Sequence, residues 1–104
     1  MRIILVAAVL SVIASPVDAQ DGDVERGREL AQASCGSCHA VGRTGGSAMA
    51  AAPPFRELHR RYPVEQLAEA LAEGISTGHE AMPEFQLAPA QIEALIAYLK
   101  TLER

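Results

Sequence analysis

The chain has 104 residues, 13 acidic against 9 basic side chains, a formal net charge of −4 and no tryptophan. That length allows a single domain, and that charge lacks the basic footprint with which proteins hold nucleic acid. Phe55, Phe85, Tyr62 and Tyr98 are the only aromatic residues, so a chain this small has little bulky material for a core of its own.

Met1 to Ala19 reads as a secretory signal peptide. Arg2 gives the positive start, Ile3 to Ile13 is an apolar run broken only by Ser11, Pro16 ends it, and Val17-Asp18-Ala19 offers the cleavage positions. The run is too short to span a bilayer as a stable helix; retention as a membrane anchor is the alternative. Residues 20 to 104 then form the domain proper. Arg2 and Asp18 leave together, so the net charge stays at −4.

Asp21 or Asp23 is placed to cap a first helix running to about Ala33. Val24, Gly27, Leu30, Ala31 and Ser34 fall on one side of it. A glycine inside a helix costs about 1 kcal/mol relative to alanine. Its place on the apolar side argues for a close crossing with another helix.

Cys35-Gly36-Ser37-Cys38-His39 follows. This C-x-x-C-H pattern reads as a c-type haem attachment. Two thiols one helical turn apart can each bond a porphyrin vinyl group, and the adjacent histidine brings its ring under the iron. Two other readings compete. A redox dithiol would sit after a strand in a β-α-β pattern, and the chain carries no strand signal. A zinc site wants further ligands at finger-like spacing, which His59 and His79 do not supply.

The stretch from Ala40 to Ala52 is a loop rich in glycine, alanine and serine. It carries Met49 and closes at Pro53-Pro54-Phe55. A ligand histidine usually gives its second ring N–H to a carboxylate, carbonyl or water. The carbonyl of Pro53 is the candidate partner for His39, with Pro54 as the alternate. Phe55 to Arg61 is expected to form a short helix with Phe55, Leu58 and Tyr62 inward. Pro63 to Glu73 predicts a stronger one, stopped by Gly74, with Val64, Leu67, Ala68 and Leu71 as its apolar side.

Met82 precedes Pro83, which pushes its backbone toward an extended conformation. Such a segment can lay a thioether over an iron, as many haem proteins do. His79 is its rival, Met49 a more remote one, and plain core filling is the bland alternative for Met82. A last helix is predicted from about Pro89 to Leu102, with the stripe Ile92, Leu95, Ile96 and Leu99. Tyr98 lies one position off that stripe, either half exposed or flanking a helix crossing.

In this order the motifs resemble the class I cytochrome c family, in its short bacterial periplasmic form. The likeness runs from residue 21 to 102. It is carried by Gly22 to Gly27, by Cys35, Cys38 and His39, by Pro53, by Met82 with Pro83, and by Leu95 to Lys100. The resemblance implies an all-α fold with helices packed around one haem c per chain. It implies covalent attachment through Cys35 and Cys38, axial ligation by His39 and Met82, a Pro53 carbonyl that receives the His39 N–H, and Gly27 packed against Tyr98. The chain departs from the family at Ala31, where members often carry phenylalanine. It also lacks both the tryptophan that bonds a propionate and the ring of lysines around the haem edge. Arg56, Arg60 and backbone amides are then the candidate propionate donors. Without haem the chain is expected to fold poorly.

The implied function is one-electron transport between redox protein partners. The carrier would be an exported periplasmic monomer, not an enzyme, and would meet a membrane only through a redox partner. Two other functions stay open: a haem-bearing subunit of a larger periplasmic oxidoreductase, and a haem enzyme or gas sensor with a displaceable sixth ligand.

Overall fold

The computed structural model describes residues 3–14, 19–74 and 82–103. Along them run helix α1 (Ala19–Ser34), a 3-10 helix (Phe55–Arg60), a 3-10 turn (Val64–Gln66) leading into α2 (Leu67–Glu73), and α3 (Pro89–Thr101). No strand occurs among the described residues, so the fold is all-α.

Helix α1 starts earlier than its acidic residues suggested. Asp21 sits within the first turn rather than capping it, where a negative charge still favours the positive helix end. Asp23 pairs with Arg26 and Glu25 with Arg28, one turn apart on the exposed side. The inner side carries Gly27, which is buried, and Ala31, at 0% exposure.

The helix crossing inferred from Gly27 is present. A Cβ on Gly27 would lie 2.0 Å from the carbonyl oxygen of Ala94 and 2.8 Å from the Cβ of Tyr98. Helices α1 and α3 therefore meet at backbone distance, and only glycine fits. Tyr98 flanks the crossing and is buried. Ala31 shares the core with Leu95, Tyr98 and Leu99.

Helix α2 ends at Gly74, whose φ of 98° is the left-handed region that glycine enters without strain. The chain later returns along α2, with the N–H of Leu87 donating to Leu71 O at 2.9 Å and Gln86 Nε2 to Ala72 O at 3.2 Å. Pro89 opens α3, where Gln91 Oε1 accepts the N–H of Ala88 at 3.0 Å. That contact is one half of a capping box.

Two expectations are corrected. The helix placed at Pro63 to Glu73 starts with a 3-10 turn, because Pro63 is extended at ψ 129° and stands before the helix. Tyr62 is not part of the packed core: it is 37% exposed, at the lining of a cavity. Six residues of 3-10 helix repeat every three positions, so Phe55 and Leu58 share the buried line and Tyr62 falls off it.

Residues 3–14 have no regular structure. Their apolar side chains take no part in the core, Leu5 being 91% exposed. No helix among the described residues is long and apolar enough to cross a membrane. Pro16, Val17, Asp18 and His79 lie outside the described residues.

Candidate functional site

The site begins where α1 runs out. The N–H of Cys35 donates to Ala31 O at 2.9 Å, and Cys35 O then accepts from Cys38 at 3.2 Å and from His39 at 2.9 Å. The turn between the cysteines is tight. A Cβ on Gly36 would sit 2.7 Å from Gln32 O, so glycine keeps the turn closed.

The loop that follows is stitched back onto this turn. Ala40 N–H donates to Ser47 Oγ at 3.0 Å. Met49 N–H donates to Cys38 O at 3.1 Å and Phe55 N–H to Ala40 O at 2.9 Å. These bonds bring Pro53 beneath His39, whose Nδ1 lies 2.8 Å from Pro53 O. A carbonyl only accepts, so Nδ1 carries the proton and donates. The lone pair is left on Nε2, the nitrogen free to bind a metal. Phe55 braces the ring, with centroids 5.0 Å apart.

Cys35, Cys38, His39 and Pro53 all line one cavity of about 650 Å³, and so do Met82 and Pro83. Leu58, Leu71, Leu95 and Leu99 give it apolar walls. Its size falls in the ~300–1,000 Å³ range of cofactor sites. The structure thus gathers the five residues singled out in the sequence around a common space. Met49 lines it too, but its backbone is bonded to the carbonyl of Cys38 and so is tied to the cysteine turn.

Arg56 and Arg60 do not line the cavity, whereas Arg61 and Tyr62 do. The signal was the three-residue repeat: Phe55, Leu58 and Arg61 fall on one line, with Arg61 capping the C-terminal end of the 3-10 helix. Among the described lining residues there is no carboxylate, and Arg61 is the one permanent cation. Arg56 instead buries Nη1 without a partner.

Cys35 and Cys38 are not joined to each other in a disulfide. Burial pushes the Cys35 thiol up, the opposite of the lowered thiol of a redox dithiol. No cluster of three or more His, Cys, Asp or Glu among the described residues is placed to hold a bare metal ion. Two thiols, an imidazole with a free Nε2, a thioether and apolar walls form a donor set that fits a porphyrin.

The family model for cytochrome c matches residues 24–103. Over 97 residues the chain is 32% identical to a protein named cytochrome c-552 from Bradyrhizobium diazoefficiens, covering 93% of this chain and 91% of that one. No solved structure matches the chain significantly. The chain belongs to the cytochrome c family, and it is a haem c protein, with the cofactor covalently bound, of the kind that carries electrons.

Proposed function

We propose that this chain carries one electron at a time between exported redox partners through an iron ligated by His39 and Met82, with Cys35 and Cys38 as the thioether sulfurs. One observation carries the reading. His39, its Nδ1 proton already given to Pro53, shares a single cavity with both thiols and with Met82. When bound, haem c supplies an iron that accepts and releases an electron.

The chain's own groups do the rest. Pro53 fixes the ring plane and tautomer of His39 and makes Nε2 a better donor. Met82 offers a soft, neutral sulfur, which holds the potential up relative to a second imidazole. The leucine walls keep water from the centre, and Arg61, which lines the cavity, would offer its charge to the propionates. With His39 and Met82 both holding the iron, a substrate would find no open position there, which favours a carrier over an enzyme or gas sensor.

The exposed apolar run at residues 3–14 supports a signal peptide, and with it a periplasmic monomer. Its partners are redox proteins, met through the small, short-lived contacts usual for such encounters, and it touches the membrane only through them. Voltammetry on the matured protein should show one reversible one-electron couple, and the ferrous form should not take up carbon monoxide within minutes. Rapid uptake would point instead to an open or displaceable sixth position.

A further inference from the structure

Two hydrogen bonds that play no part in holding the cofactor tie the segment after His39 to the end of the chain. Tyr98 donates its hydroxyl to the carbonyl oxygen of Val41. Arg43 Nη2 donates to the carbonyl oxygen of Thr101 at 2.8 Å. Thr101 is the last residue of α3, so Arg43 brings a cation and a donor to a carbonyl that the helix itself leaves without a partner. Tyr98 is held at the Gly27 crossing, so its hydroxyl projects from a fixed point. Between His39 and these two anchors, Ala40 is already bonded on both sides, to Ser47 and to Phe55.

We propose that Tyr98 and Arg43 are positioning residues for His39, forming a two-point clasp through which the packing of α3 sets the path of the chain leaving the axial histidine. This rests on His39 being an iron ligand. With the clasp closed, residues 41 to 43 are drawn against α3. With it open, water reaches the histidine side of the cavity. Exposure to water favours the more highly charged ferric state and lowers the potential.

The test uses matured, haem-loaded protein and measures reduction potential alongside the thermal midpoint. Tyr98→Phe removes the hydroxyl and keeps the ring at the crossing. Arg43→Gln removes the charge, and Arg43→Lys restores it. Ile92→Val loosens the same helix at a buried position that does not line the cavity. Tyr98→Phe and Arg43→Gln should each lower the ferrous-to-ferric ratio at fixed poise about threefold, ~28 mV at ~59 mV per tenfold for one electron. The double variant should add little to either, since one break frees the segment. Arg43→Lys should keep most of the wild-type potential, and Ile92→Val should lower the midpoint with the potential unchanged. Clasp variants at the wild-type potential would overturn the proposal, as would an equal drop in Ile92→Val. A wild-type spectrum without histidine on the iron would overturn the ligand reading, and the clasp with it.

Discussion

His39 has two ring nitrogens, and the loop that ends in Pro53 uses one of them. This local contact gives the ring a defined tautomer and leaves Nε2 with its lone pair available. The carbonyl was legible in the sequence, because a proline has no N–H yet keeps its acceptor. Tyr98 makes a second decisive contact, and its chemistry carries a pH dependence. Burial, opposed by the nearby Arg28 and Arg43, pushes its phenol above the ordinary tyrosine value. A folded-state pKa above the unfolded one gives stability that is complete below the unfolded value of about 10 and is lost as pH rises through the folded value. The thermal midpoint of the wild type should therefore fall more steeply above about pH 10 than that of Tyr98→Phe. Parallel curves for the two proteins would remove Tyr98 as the source.

The crossing of α1 on α3 is the contact between elements on which the rest of the fold is arranged. Alanine in place of a mid-helix glycine ordinarily gains about 1 kcal/mol. At Gly27 the new methyl would meet the Ala94 carbonyl, and overpacking of this kind costs up to about 3 kcal/mol. Gly27→Ala should accordingly lose about 3 kcal/mol in denaturant unfolding of the haem-loaded protein, and a neutral or stabilising result would show that the helices do not approach so closely. The glycine itself gave the crossing away, since nothing else explains one on an apolar helix side. The ends of elements were harder to read. Asp21 and Asp23 offered plausible caps, yet α1 continues back to Ala19, because neither residue blocks a helix. A three-residue repeat looks alike in α and 3-10 helices at Phe55 and Leu58. Only the tighter winding puts Arg61 next on the line as well, so the cation lining the cavity was missed.

At the scale of the whole molecule, the short chain is built as a wall around a space. Its leucines come from all three α-helices, the first 3-10 helix and the segment before α3, and its chemical groups come from two short stretches, Cys35 to His39 and Met82 with Pro83. Local motifs of this sort show in a sequence because covalent attachment and soft ligation each demand specific residue types at fixed spacing. The cavity did not, since its shape depends on how α3 returns against α1 and α2. The apolar run of residues 3–14 stands apart from that wall. The ligand pair can be read directly from the absorption spectrum of the oxidised, matured protein, where sulfur bound to ferric haem gives a weak far-red band. The band should be present in the wild type and in His79→Ala and absent in Met82→Ala. A band that survives in Met82→Ala, or vanishes in His79→Ala, would contradict ligation by His39 and Met82.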